Sequence, residues 1–224
     1  MAKWFFILAS LLVVYSVDIK LYILLWPAAN FLVLGIAYAT EKHRIFGKRA
    51  DGTLATINVL FLLPYYLLLW SFWHVMRVLQ NERVYDELEE KIVIGRRLFA
   101  KELPENIETV VDLTCEFCEQ KSITQKYHYR CFPILDGSIT EVSSFAEFAC
   151  EIAKSEQRIY IHCAQGHGRT SMFTCLLLIA QKKYNNVDEA MAFIQQKRPR
   201  ANMRKQQWLF TESCAREIKN IRNE

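Results

Sequence analysis

The sequence predicts an α/β domain, a central and largely parallel sheet flanked by helices, preceded by an N-terminal hydrophobic transmembrane helical region. Three observations lead there. From Lys91 onward, short β-forming runs alternate with segments of helical apolar spacing. One alternation, Ile159–Met172, reads as strand, glycine-containing loop and helix in immediate succession. Residues 1–79, by contrast, are dominated by three apolar runs, two of them long. The chain is therefore divided into an anchor at 1–79, with two or three hydrophobic helices, and a second domain at 80–224.

The first apolar run, Trp4–Val17, is short; Leu21–Ala39 and Leu54–Met76 are long enough for a bilayer core, which needs about 20 residues per helix. A cleavable signal peptide is the rival reading of the first run, but no small-x-small site precedes Asp18 and two more runs follow. Trp4, Trp26, Trp70 and Trp73 suit interfacial anchoring. Lys42, Arg44, Lys48 and Arg49 mark the intervening loop as the cytoplasmic side. A multi-pass membrane protein is expected. A full crossing by the third run would put the second domain on the opposite side, whereas a kinked or re-entrant segment at Pro64 would return it to the cytoplasm. The cytoplasmic side is expected, because a reactive thiolate favours a reducing compartment.

In the second domain, Asn81–Lys91 reads as a charged connector, followed by strands at Lys91–Arg96, Thr109–Leu113 and Tyr127–Leu135. Apolar residues at 142, 145, 146, 148, 149, 152 and 153 predict a helix over Val142–Ser155. Ile159–Ile161 is the next strand, and helices follow at Thr170–Lys182, Val187–Lys197 and Trp208–Ile221. Asn186 or Asp188 caps the second of these, which ends before Pro199.

The strand-loop-helix junction carries the chemistry. Backbone N–H groups of such a loop point inward, and the positive end of the helix dipole faces the same spot, forming an anion cradle. Cys163 stands at its start, where the field favours the thiolate; cysteines in such places commonly have pKa values of about 3.5–7.5. Arg169 closes the loop as a planar fork for two phosphate oxygens. The arrangement suits nucleophilic attack on a bound phosphate.

Composition removes other classes. Residues 1–79 carry seven Lys/Arg and three Asp/Glu, so the whole net charge of +4 belongs to them. The balanced remainder has no basic stripe with interleaved aromatics, and no nucleic-acid partner is expected. Seven cysteines without regular spacing are not a disulfide framework. Cys115-x-x-Cys118 lacks a second Cys or His pair, so neither a metal nor a cofactor is expected.

His162-Cys163 through Arg169-Thr170 resembles, position for position, the His-Cys-x5-Arg-Thr/Ser signature loop of the cysteine-based phosphatases. The order IVIGRRL, LPENIETVVDLTCEF, FPILDGS, signature loop, KRPRANMRKQQWL is similar to the small dual-specificity branch, from about Lys91 to Arg216. The resemblance implies a dual-specificity phosphatase-like fold and hydrolysis of phosphomonoesters through a phosphocysteine, with no metal. It makes Cys163 the nucleophile, Arg169 and the loop Ala164, Gln165, Gly166, His167 and Gly168 the phosphate site, and Asp136 the general acid. Asp112 competes for that last role. Thr170 is implied to hydrogen-bond the sulfur and His162 to tune it, while Ser171 caps the helix. Asn202 orients the loop, and Gln206 or Gln207 positions water. Lys197–Lys205, with five cations and no acid, is either a solvated loop or a positive rim.

The expected partners are a phosphorylated protein or a phospholipid, and the membrane. Phosphotyrosine or phosphoserine/threonine proteins are the family's default, and a phospholipid or phosphoinositide monoester is the alternative. A rhodanese-type sulfurtransferase or a non-catalytic phosphate-binding module are the more distant readings.

Overall fold

A computed structural model describes residues 1–223. The chain forms two compact units: the first holds Met1–Arg49 and Thr53–Glu82, and the second runs from Arg83 onward and takes in Ala50–Gly52.

The first unit is helical. Helix α1 (Ala2–Asp18) and helix α2 (Leu25–Ala39) are followed by α3 (Thr56–Phe61) and α4 (Leu63–Leu79). Among the described residues one helical stretch, Tyr22–Ala39, is long and apolar enough to cross a membrane. This narrows the expected two or three crossings, and the multi-pass arrangement is not supported. Helix α1 has 17 residues, and the third apolar run is two helices rather than one. The break is at Leu62, because Pro64 in the first turn of α4 has no N–H to donate to the carbonyl four residues back. Trp26 Nε1 and Asn30 Nδ2, both 2.8 Å from the Phe61 carbonyl, satisfy an acceptor that the break releases.

The second unit is the predicted α/β domain. Its strands are β1 (Tyr85–Glu89), β2 (Ile92–Arg96), β3 (Thr109–Thr114), β4 (His128–Ile134) and β5 (Ile159–Cys163). Its helices are α5 (Lys121–Thr124), α6 (Val142–Ala153), α7 (Gly168–Ala180), α8 (Val187–Lys197) and α9 (Lys205–Asn223). The sheet order is β1-β2-β5-β3-β4, with β1 antiparallel to β2 and all other pairs parallel. Strand β1 corrects the expected charged connector. It is an edge strand whose Glu87 faces solvent while Asp86 and Leu88 face inward, so its charges hid an ordinary alternation. Helix α8 has its expected bounds, and Asn186 Oδ1 accepts the Glu189 N–H at 2.9 Å.

The alternation of β5 divides the interior. Ile159, Ile161 and Cys163 join the main core with residues of α6, α7, α8 and α9. Tyr160 points to the other face, against Val93, Leu98, Ile107, Val110 and Ile123. Because β5 is central and buried along its whole length, its C-terminal end is fixed, and the loop that leaves it starts from a rigid point.

Candidate active site

The loop from Ala164 to His167 joins the end of β5 to the start of α7. Its tightest point is Gly166, at φ +72°, where a Cβ would overlap the Gly95 carbonyl; only glycine fits. Three successive carbonyls are engaged from outside the loop. Arg97 N–H donates to Ala164 O at 3.3 Å, and the buried Arg198 donates to Gln165 O at 3.2 Å and Gly166 O at 2.9 Å. Arg198 is itself held by Asp86 at 2.7 Å and Arg83 O at 3.1 Å. Carbonyls bonded on the outer side leave the loop N–H groups for the inner side, where Gly166 N–H already donates to Cys163 Sγ at 3.3 Å.

Arg169, in the first turn of α7, has no exposed surface. Its guanidinium is gripped bidentately by Glu116, Nη2 to Oε1 at 2.6 Å and Nη1 to Oε2 at 2.9 Å. Nη1 also donates to Ile134 O at 2.8 Å and Leu113 O at 3.4 Å. Burial opposes its charge, but Glu116 and Asp136 outweigh that and hold its pKa well above the ordinary value. Arg169 Nε is buried and has no hydrogen-bond partner among the described residues. The guanidinium is thus locked on one edge and keeps a donor for an anion.

Asp136 Oδ1 lies 3.2 Å from Arg169 Nη2, on a turn closed by Ser138 N–H to Leu135 O at 3.2 Å. Its side chain is about half exposed. Gly137 has φ +66°, and the Arg204 guanidinium lies directly over it, in the space a Cβ would take. Asp136, Cys163, Gln165, His167, Gly168, Arg200, Asn202, Arg204 and Gln207 line one cavity of ≈ 360 Å³. Asp112 is elsewhere: fully buried, it accepts Thr114 N–H at 2.8 Å, Thr114 Oγ1–H at 2.7 Å and Tyr129 O–H at 2.7 Å. Those bonds give it a structural task and leave Asp136 the one acid on the cavity wall. A cysteine sulfur and a half-exposed acid on one cavity wall, with a buried cation 3.2 Å behind that acid, suit in-line attack on a phosphomonoester.

The family profile of the dual specificity phosphatase catalytic domain matches residues 100–211, half of the chain. The chain belongs to the dual specificity phosphatase family. The matched segment is the catalytic domain of that family. Dual specificity protein phosphatase 2 of Mus musculus is 29% identical over 76 residues, 32% of this chain and 24% of that protein. Dual specificity protein phosphatase 4 of Homo sapiens is also 29% identical over 76 residues, 32% of this chain and 19% of its own length. The match thus spans about a fifth to a quarter of these curated relatives. Among solved structures, PTPMT1 in complex with PI(5)P superposes with a TM-score of 0.54 at 17% identity, over 62% of this chain and 99% of that one. Tk-PTP in the active form gives 0.53 at 19% identity, over 60% and 97%. These two show a shared fold.

Within this domain, other expected residues divide. Thr170 Oγ1 is buried without a partner among the described residues, and the sulfur receives the Gly166 N–H instead of a threonine hydroxyl. Ser171 is not a cap: it lies inside α7 and its hydroxyl donates back to His167 O at 2.6 Å. Asn202 is on the cavity wall. Gln206 is exposed and off that wall, whereas Gln207 is buried on it, donating to Ser138 O at 3.3 Å and accepting Arg204 N–H at 3.1 Å. One residue of helical phase separates them. The five-cation segment is not a uniform rim, since Arg198 is a buried strut and only Arg200 and Arg204 of the five reach the cavity.

Glu116 was not singled out from the sequence. It stands inside Cys115-Glu-Phe-Cys118, where the cysteine pair draws the eye, yet neither thiol is in a disulfide, and Cys115 Sγ donates to Glu116 Oε2 at 3.4 Å. An isolated acid with its partner 53 residues away leaves no local signal.

Proposed function

We propose that this protein removes phosphate from phosphorylated protein side chains through a phosphocysteine. The Cys163 thiolate attacks phosphorus in line, and the bond from phosphorus to the leaving oxygen breaks as Asp136 gives that oxygen a proton. Arg169 and the loop N–H groups of Ala164 to Gly168 hold the equatorial oxygens. Water, oriented by Gln207, then attacks the phosphocysteine and gives its proton to Asp136; inorganic phosphate leaves and the thiolate returns. The Gly166 N–H, which already donates to Cys163 Sγ, stabilises the departing sulfur, and Asn202 steadies the loop. The observation that carries this reading is the Glu116-locked Arg169 with its spare Nε donor, next to Asp136 and at the same loop as Cys163.

A phospholipid monoester is the second reading. It is favoured by Arg200 and Arg204 on the cavity wall, by the apolar stretch Tyr22–Ala39, and by the likeness to a PTPMT1 structure holding PI(5)P. In either case we take the enzyme to be membrane-associated through Tyr22–Ala39 with its catalytic unit in the cytoplasm, where thiolates stay reduced. The test is turnover of phosphotyrosine and phosphoserine peptides beside lipid phosphates in mixed micelles, with Cys163→Ser as control. Turnover of lipid alone would replace the protein reading by the lipid one, and activity surviving in Cys163→Ser would sink both.

A further inference from the structure

Side chains of strand β1 alternate, and positions 86 and 88 face the interior. Leu88 joins the main core, as a core-facing strand position would lead one to expect. Asp86 is buried as well, although it is an acid. A carboxylate taken out of water needs a cation close by. That cation is Arg198, also buried, whose Nη1 lies 2.7 Å from Asp86 Oδ2. The same nitrogen donates to Arg83 O at 3.1 Å, just before the strand begins. The Arg83 guanidinium is no substitute: it is 3.8 Å from Asp86 Oδ1, and its side chain is 86% exposed.

A guanidinium is planar, and its N–H groups keep fixed directions. Tying Nη1 to β1 therefore sets where Nε and Nη2 point. These two take successive loop carbonyls, Gly166 O at 2.9 Å and Gln165 O at 3.2 Å. The peptides are trans, so a carbonyl drawn outward turns the N–H of the following residue inward. Gln165 O thereby aims the Gly166 N–H, which donates to Cys163 Sγ at 3.3 Å. Gly166 O aims the N–H of His167, a residue on the cavity wall. The loop is braced from the same side by Arg97 N–H on Ala164 O and by the Gly95 carbonyl packed against Gly166. Apart from Arg198, these anchors lie between 83 and 97, ahead of the residues 100–211 that match the catalytic domain.

We infer that Asp86 is a positioning residue for the phosphatase reaction. Through Arg198 it fixes the direction in which the Gly166 and His167 N–H groups meet the sulfur and the phosphate, and it touches neither itself. The start of β1 is then part of the frame of the phosphate site as well as an edge of the sheet. The inference rests on the reading of Cys163 and its loop as that phosphate site.

The test uses the full chain in detergent micelles, with the urea midpoint as the check on folding. Asp86→Asn keeps the shape of the side chain and removes its charge. Loss of that charge-assisted bond should weaken vanadate inhibition by about tenfold. An inhibition constant is set by the molecules that are folded, so a mere loss of folded protein leaves it unmoved. The fall in kcat/KM should be equal on aryl and alkyl phosphates, because the loop N–H groups hold the phosphate whatever the leaving group. Asp86→Glu, which retains the charge, should recover part of the loss. The cycle with Arg198→Lys separates positioning from plain stability. If Asp86 acts through Arg198, adding Asp86→Asn to Arg198→Lys should weaken vanadate by less than about threefold more. Should Asp86→Asn not fold, the same cycle is run with Asp86→Glu. Vanadate inhibition within about threefold of the parent in folded Asp86→Asn, or losses that simply multiply to about 100-fold in the double variant, would overturn the inference. A parent protein that vanadate does not inhibit, or activity in Cys163→Ser, would instead overturn the function reading beneath it.

Discussion

Replacing Glu116 by glutamine isolates the grip on Arg169. In the parent, two charge-assisted bonds of 2.6 and 2.9 Å hold a guanidinium with no exposed surface. Glutamine keeps one acceptor oxygen, so one such bond is lost and a donor amide is turned toward the cation. Hydrogen bonds to charged groups contribute about 1.5–3 kcal/mol, and complete removal of a buried partner costs about 3–5 kcal/mol. The substitution therefore costs about 2–3 kcal/mol, short of the full figure because Ile134 O and Leu113 O still accept from Nη1. If the loosened Arg169 loses that much transition-state contact, kcat/KM falls by roughly 30- to 150-fold. The assay is kcat/KM on an aryl phosphate together with the inhibition constant of vanadate, with the urea midpoint as a check on folding. Both constants should worsen together. A variant that stays folded and keeps kcat/KM within about threefold of the parent, against the 30-fold floor, would refute the grip as the source of Arg169's function.

Asp136→Ala should lower kcat by about 100- to 10,000-fold on alkyl phosphates, the usual worth of a general acid, and far less on aryl phosphates whose leaving group needs no proton; equal losses on both would count against Asp136 as the acid. Arg198→Lys cannot reach four acceptors at once, so vanadate should bind at least tenfold more weakly, about 1.4 kcal/mol, while circular dichroism stays unchanged. Burial pushes the Cys214 thiol up to about 12 and the Cys175 thiol higher still. Both should resist iodoacetamide at pH 9 in the folded protein and react once guanidinium unfolds it. Because these folded-state values are raised, the stability they contribute is whole below the ordinary thiol value of 9.0 and declines as pH climbs toward about 12, so the urea midpoint should be lower at pH 10.5 than at pH 8.

The parts of the site legible in the sequence are those whose partners are near in the chain. The cradle needs a strand end, a loop and a helix start, and all three lie within Ile159–Ala180. Asn186 caps α8 across three residues, and Pro64 starts α4 afresh within an apolar run. What escaped reading has partners far apart. Glu116 meets Arg169 across 53 residues, and Arg198 meets Gly166 across 32. A basic segment looked uniform because sequence does not say which of Arg198, Arg200 and Arg204 points inward. Gln206 and Gln207 differ by a single step of helical phase, which only the docking of α9 resolves. Strand β1 was missed because an edge strand tolerates charge on its open face.

The residues by themselves determined the α/β class, the apolar character of the first 79 positions and the chemistry of the loop, since hydrophobic period and local backbone geometry act over a few residues. Tertiary structure alone decided how that loop is held. It set Glu116 on Arg169 and Arg198 on the loop carbonyls. Each is a charge buried by packing, and a charge out of water must find its partner wherever the fold brings one.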